Sequence, residues 1–123
     1  MTCVWEGILT GLKKHNLVVK GMNIDCFVQH IKSHNEIIDY VTFNGKEPTD
    51  KQKEENFERI ENIGKIQSGY LCSSFDPLLF LICHLYKVNI IHNFNAVKLR
   101  YLHDESNITL HFESNKSHFW CKN

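Results

Sequence analysis

Residues 76–83 read Asp-Pro-Leu-Leu-Phe-Leu-Ile-Cys, a helix start signal followed by an unbroken apolar run. Asp76 is a suitable N-cap, and Pro77 suits the first helical position, where no backbone N–H is needed. The run after Pro77 is apolar on every side of the predicted helix, which is typical of a buried helix. The sequence therefore predicts a central helix with the rest of the chain packed around it.

Four short runs rich in β-branched and aromatic residues follow this helix, and turn-like residues separate them. The predicted strands are residues 88–94, 96–102, 107–112 and 117–121. Helices first and strands afterwards are typical of an α+β domain, so we expect helices followed by a small antiparallel sheet.

Three further helices are predicted ahead of the central one. Residues 3–14 carry an apolar stripe at helical spacing. Residues 24–37 follow Asn23, a suitable N-cap. The third helix, residues 50–63, is heavily charged and is expected on the surface; Thr49 and Gln52 match a capping box. A short β-like piece at 40–43 precedes it and ends in the turn signal Asn44-Gly45.

The composition limits the class of protein. A chain of 123 residues predicts one domain, spanning 1–123, with 42% hydrophobic and 23% charged residues. Lys+Arg and Asp+Glu are both 14, and this balance predicts no nucleic-acid partner. No apolar run approaches the ~20 residues of a membrane span, and the first residues do not resemble a signal peptide. The five scattered cysteines predict reduced thiols in the cytoplasm, with Cys26 and Cys83 packed as small hydrophobes.

Cys3 and His118 are the candidate catalytic residues. Cys3 begins the first predicted helix, and His118 precedes two aromatic residues, Phe119 and Trp120, in the last predicted strand. A helix N-terminus and a neighbouring imidazole both favour the reactive thiolate form of a cysteine. A Cys and a His far apart in sequence can be adjacent in a fold, so we expect the Cys3 sulfur within roughly 4 Å of the His118 ring.

With these residues placed, the chain resembles the ovarian-tumour (OTU) family of cysteine deubiquitinases. In that family the nucleophile opens a helix with the pattern Cys-x-aromatic-x-small-aliphatic, which here is Cys3-x-Trp5-x-Gly7-Ile8. The catalytic histidine of the family is followed by an aromatic residue in a late strand, as His118 is followed by Phe119. A surface helix, a buried helix and a strand lie between them in the family, and residues 47–63, 77–86 and 88–94 occur in that order.

The resemblance implies an OTU-like, papain-like architecture and a deubiquitinase without cofactor or metal, similar to compact viral members that act in the host cytoplasm. Cys3 would attack the carbonyl after the C-terminal glycine of ubiquitin or a ubiquitin-like protein, His118 would move the proton, and the Cys3 backbone N–H would face the oxyanion. The expected substrate groove combines aromatic residues with acidic ones that suit a basic modifier tail: Trp5, Phe119, Trp120, Glu47, Asp50 and Glu54.

Two departures from the family keep other interpretations open. Trp120 stands where the family often has an Asp or Asn that orients the histidine, with Asn115 and Asn123 nearby as substitutes. The Asp-Gly that precedes the nucleophile in the family has no counterpart in Met1-Thr2. In one alternative, the chain is an inactive OTU-like protein that acts as a binding module. In another, Cys3 is an inert thiol. A third alternative is a zinc site around His118-x-x-Cys121 with His103 and His111, although the second close ligand pair is missing.

Overall fold

The computed structural model describes residues 3–62, 75–115 and 118–122. These residues form a mixed α+β fold, as predicted. The helices are α1 (Cys3–Lys14), α2 (Ile24–Ser33), α3 (Asp50–Glu61) and α4 (Pro77–Tyr86). The strands are β1 (Val41–Phe43), β2 (Asn89–Phe94), β3 (Val97–His103), β4 (Thr109–Ser114) and β5 (Phe119–Lys122).

The predicted helix start signals are confirmed. Asn23 caps α2, Thr49 and Gln52 form the capping box of α3, and the Asp76 carboxylate accepts from the first turn of α4. The prediction that α2 continues to residue 37 is wrong, because α2 ends at Ser33. Beyond that point the Asn35 side chain donates to the Phe57 carbonyl of α3 at 3.0 Å, which directs the chain towards α3 instead of extending the helix.

The sheet is mixed, so the expectation of an antiparallel sheet is wrong in one strand pair. The strand order is β1-β3-β2-β4-β5, and β2 and β4 run parallel. The chain forms the β2–β3 hairpin and then passes the start of β2 to add β4 on its other side. Asn89 holds this crossing, since its backbone N–H donates to Ile108 and its side chain accepts from His103, both at 2.8 Å.

The helices cover one face of the sheet. Alternate residues of the strands point to that face, and they include Ile90, Tyr101 and Phe112, all fully buried. Helix α4 lies against β1, β2 and β3, whereas α1 lies against β4 and β5. As predicted, α4 is the central helix, with its residues from Pro77 to Cys83 all buried. Helix α3 packs on α4, and α2 packs on α1.

None of the helices in the described part of the chain combines the length and the apolar character that crossing a bilayer requires.

Candidate functional site

Two glycines let α1 approach the edge strand β5 unusually closely. A Cβ atom at Gly7 would lie 2.8 Å from a ring carbon of Phe119, and one at Gly11 would lie 3.3 Å from the Phe112 ring. Cys121 also lies next to α1, with its sulfur 3.5 Å from the Cβ position of Gly11. A side chain at Gly7 would force the helix or the Phe119 ring to move, whereas one at Gly11 would need a shift of only a few tenths of an ångström. Gly7 is therefore the position at which the contact depends most on the absence of a side chain.

This contact sets the register between α1 and β5. Phe119 lies opposite Gly7 and Cys121 opposite Gly11, so two strand residues match one helical turn of four residues. The rises agree, since both steps amount to about 6 Å. One turn before Gly7 on the helix is Cys3, and one residue before Phe119 on the strand side is His118. The two candidate catalytic residues therefore lie at the same end of the contact.

An open cleft of about 280 Å³ lies between α1 and β5, and both candidates line it. The remaining lining residues come from the outer side of α1 and from β5: Glu6, Gly7, Thr10, Phe119, Trp120 and Cys121. Cys3 and His118, which the sequence analysis paired, therefore line the same cleft.

Cys3 is the first residue of α1, and its thiol is free and half-buried. The first four backbone N–H groups of a helix have no acceptor within the helix itself, and the first of them, that of Cys3, lies at this end of the cleft. Glu6 sits one turn further along and contributes a carboxylate to the cleft. This residue was missed from the sequence, although its position three residues after Cys3 on a predicted helix was a usable signal.

The His118 imidazole is exposed and stacks on the Trp120 indole, with ring centroids 5.5 Å apart and an interplanar angle of 24°. The backbone N–H of His118 donates to the Asn115 side-chain oxygen at 3.0 Å, which ties the start of β5 to the end of β4. Within the described residues, no hydrogen bond joins the Cys3 thiol to the His118 ring. The two groups line the same cleft, but the imidazole ring is stacked on the Trp120 indole. Asn123, the other suggested orienting residue, lies outside the described residues.

The aromatic residues expected in the groove divide into two groups. Phe119 and Trp120 both line the cleft: Phe119 is 2% exposed and forms its wall, and Trp120 is half-buried. Trp5 is 1% exposed and packs edge-on against Phe27, with ring centroids 6.1 Å apart. The structure therefore places Trp5 in the core, because it lies on the inner side of α1, and corrects its assignment to the groove.

The acidic residues expected in the groove lie elsewhere. Glu47, Asp50 and Glu54 are exposed, and α3 packs on α4 at the side of the sheet formed by β1 and β3. The cleft lies at the opposite edge, along β5. The assignment of these three residues to the groove is therefore corrected, and Glu6 is the carboxylate that lines the cleft.

The other cysteines differ in environment. Cys83 is fully buried, as predicted, and burial raises the pKa of its thiol well above the usual value. Burial also raises the pKa of Cys121, against the opposing effect of Lys14, whose Nζ lies 3.9 Å from the sulfur. Cys26 is exposed on α2, so the prediction that it packs as a small hydrophobe is wrong. Cys72 lies outside the described residues.

A buried polar pair lies beneath Phe119. His92 Nε2 and Ser114 Oγ are 2.6 Å apart, and the His92 ring lies 5.4 Å from the Phe119 ring. Burial lowers the pKa of His92 to about 4, so this histidine is neutral in the native protein near neutral pH. The pair supports the wall of the cleft from the core side.

The zinc alternative finds no support in the described residues, which contain no group of three or more His, Cys, Asp or Glu side chains suited to a metal ion. Cys121 faces α1, whereas His111 lies on the open face of the sheet. His103 lies on β3, on the other side of β2 from β4 and β5.

Comparison with protein-family models, curated proteins and solved structures found no match to this chain. The similarity to the OTU family therefore depends on the residues named above.

Proposed function

We propose that this chain is a cysteine hydrolase of the OTU type, with Cys3 as nucleophile and His118 as general base, acting on ubiquitin or ubiquitin-like conjugates. The observation that supports the proposal is that a thiol at a helix N-terminus and an exposed imidazole line one cleft. The close contact of α1 with β5 holds the two elements that carry these groups in a fixed register.

In the proposed reaction His118 removes the proton of the Cys3 thiol, and the sulfur attacks the isopeptide carbonyl carbon. The oxyanion of the tetrahedral intermediate accepts hydrogen bonds from backbone N–H groups in the first turn of α1. The C–N bond then breaks while His118 gives its proton to the leaving lysine amine, which leaves a thioester on Cys3. Water, deprotonated by His118, releases the ubiquitin carboxylate and restores the thiol.

This reaction requires the His118 ring to leave the Trp120 indole and turn towards Cys3. His118 precedes the first residue of β5 and is exposed, so rotation of its side chain meets no packed neighbour on the solvent side. Catalytic hydrogen bonds are often unformed in unliganded sites and form only with substrate. An extended substrate tail in the cleft would displace the stacked ring and shield the pair from water.

The shape of the cleft suits a tail without side chains. Gly7, which carries no side chain, lines it on the helix side, and Phe119 and Trp120 line it on the strand side. A Gly-Gly terminus would fit between these residues most easily, since it carries no Cβ atoms. Glu6 provides the negative charge that a basic tail would meet as it enters.

The alternative function is a non-catalytic binding module of the same fold. It is favoured by one observation: Trp120 occupies the position of the family's orienting residue and holds the His118 ring in a stack. In this case the cleft binds a partner, and Cys3 serves only as part of its surface.

The two functions separate in a hydrolysis assay with ubiquitin carrying a fluorogenic C-terminal amide. The proposal predicts turnover by the parent protein, loss of turnover in Cys3→Ala and in His118→Ala, and retention in Cys121→Ala, the matched change of the second thiol in the cleft. Turnover that persists in Cys3→Ala would overturn the proposal. Absence of turnover, together with saturable binding of ubiquitin that Glu6→Lys weakens, would favour the binding module.

A further inference from the structure

The open face of the sheet, turned away from the helices, carries two rows of directly paired side chains. Residues paired directly across neighbouring strands point to the same face. In the order β3, β2, β4, β5 the first row is Arg100, Ile91, His111 and Lys122. In the same order the second row is Lys98, Asn93, Glu113 and Trp120.

This face is strongly basic. Lys98, Arg100 and Lys122 are permanent cations, and all three are exposed. They line a shallow depression of about 340 Å³ together with His111, Ile91 and Asn93. Glu113 is the one carboxylate in the two rows, and it pairs with Lys122 at 2.8 Å. The depression therefore attracts anions, with Lys122 partly neutralised by its neighbour.

The spacing of the cations suits an extended anion. Neighbouring strands lie about 4.8 Å apart, so the row from Arg100 to Lys122 spans about 14 Å. A single phosphate would need its donors converging on one point, whereas charges distributed along a groove match a chain of phosphates. Trp120 ends the second row with a half-buried indole, on which a base can stack once the His118 ring moves aside.

We propose that this open face binds single-stranded nucleic acid, with phosphates along the Arg100–Lys122 row and a base on Trp120. The balanced net charge of the chain had predicted no such partner. The structure shows an uneven distribution of charge, because the exposed carboxylates of α3 lie on the helix side of the fold and outnumber the three basic residues of that helix, Lys51, Lys53 and Arg59. These carboxylates are Asp50, Glu54, Glu55, Glu58 and Glu61. A balanced total therefore coexists with a basic face.

The basic rows are separate from the proposed hydrolase site and do not include Cys3. The cleft lies between α1 and β5, whereas the basic rows lie on the face turned away from the helices. Trp120 and His118 are the residues common to both, so the main test of the charge contribution uses Lys98 and Arg100, at the far end of the rows.

Fluorescence anisotropy with a labelled oligonucleotide of about 15 nucleotides tests whether the basic side chains bind the phosphates. Three neutralised phosphates predict a salt slope of about −2 for log K against log salt, or about 20-fold weaker binding between about 50 and about 200 mM salt. Lys98→Gln combined with Arg100→Gln should reduce that loss to about threefold. Glu113→Gln should strengthen binding, because it removes the carboxylate that competes with phosphate for Lys122.

The matched control is Lys20→Gln combined with Lys46→Gln, which removes two exposed lysines outside the rows and should leave binding unchanged. All variants change exposed or half-buried polar side chains, and unchanged thermal melts would verify their folding. An equal effect of the control pair would overturn the assignment. So would tighter binding of a polyglutamate peptide of equal charge, because the face would then select an acidic protein partner.

Tryptophan fluorescence tests whether a base stacks on Trp120. The chain has two tryptophans, and Trp5 is buried in the core, so a change on binding reports on Trp120. Saturating oligonucleotide should quench this emission in the parent protein and leave it unchanged in Trp120→Phe. Binding without quenching in the parent would contradict the proposed position of the base.

Discussion

Replacing Gly7 by alanine should weaken the protein by forcing α1 away from β5. The added Cβ would lie 2.8 and 2.9 Å from two ring carbons of Phe119. Favourable carbon contacts begin near 3.5 Å, so the helix or the ring must move by about 0.7 Å. The ring has little room, since it is 2% exposed and lies 5.0 Å from Phe112 and 5.4 Å from His92.

The expected magnitude follows from two opposing terms. Overpacking a filled core costs about 1–3 kcal/mol, and the rigid surroundings of Phe119 favour the upper part of that range. Alanine recovers about 1 kcal/mol of helix propensity relative to glycine. The net destabilisation is then about 1–2 kcal/mol, which corresponds to a melting temperature lower by roughly 4–10 °C.

Gly11→Ala is the matched control, because it is the same substitution one turn further along the same buried helix face. Its Cβ would lie 3.3 Å from the Phe112 ring, so a shift of a few tenths of an ångström suffices. The gain in propensity should roughly offset that cost, which leaves the free energy of unfolding within about 0.5 kcal/mol of the parent.

Urea denaturation followed by far-UV circular dichroism measures both variants. A double variant adds a direct test, since Gly7→Ala should cost less in a Phe119→Leu background, where the clashing ring carbons are gone. If Gly7→Ala were as stable as Gly11→Ala, the close contact of α1 with β5 would not exist as described, and the register that brings Cys3 level with His118 would lose its basis.

Three further predictions concern the cleft and the core beneath it. Cys3 should be alkylated faster than Cys26, which is exposed on α2 and lies outside the cleft, and faster than Cys121, whose pKa is raised by burial; peptide mapping after brief labelling measures the order. Faster labelling at Cys26 would contradict the assignment of Cys3. Stability should fall as pH drops from 6.5 towards 4, because the unfolded chain binds a proton that native His92 resists, and His92→Gln should lose up to about 3 kcal/mol of this dependence. Glu6→Gln should weaken cleavage of ubiquitin conjugates several-fold at low salt and less at high salt, and an identical effect at both would exclude an electrostatic role.

Local signals in the sequence predicted most of the fold. The caps at Asn23, Thr49 and Asp76 act over a few residues, and the structure confirms all three. The apolar run of α4 was sufficient to predict a buried central helix. The Asn44-Gly45 turn also forms as predicted, with φ of 49° and 86° at the two residues.

Contacts between distant residues were not predictable in the same way. The parallel pairing of β2 with β4 depends on which side of the hairpin the chain adds its next strand, and no local pattern encodes that choice. The end of α2 depends on Asn35 binding to α3, 22 residues further along the chain.

The residues of the candidate site show the same difference between local signals and contacts of distant residues. Cys3 and His118 were found from their positions at a helix start and beside a strand, and they line one cleft. Among the residues predicted for the substrate groove, Phe119 and Trp120 line the cleft. The acidic ones were chosen because the region of the third helix is the most acidic segment, and Trp5 as a large aromatic residue near Cys3. The structure puts α3 beyond α4 and Trp5 in the core, because helix packing and helix phase decide those positions.

Intact-protein mass spectrometry after incubation with ubiquitin carrying an electrophilic C-terminus tests whether Cys3 and His118 act together. A single covalent adduct should map to Cys3, form much more slowly in His118→Ala, and be unaffected by Cys121→Ala. An adduct at Cys26 or Cys121, or an adduct at Cys3 that forms equally fast without His118, would contradict the assignment of Cys3 and His118 as a catalytic pair.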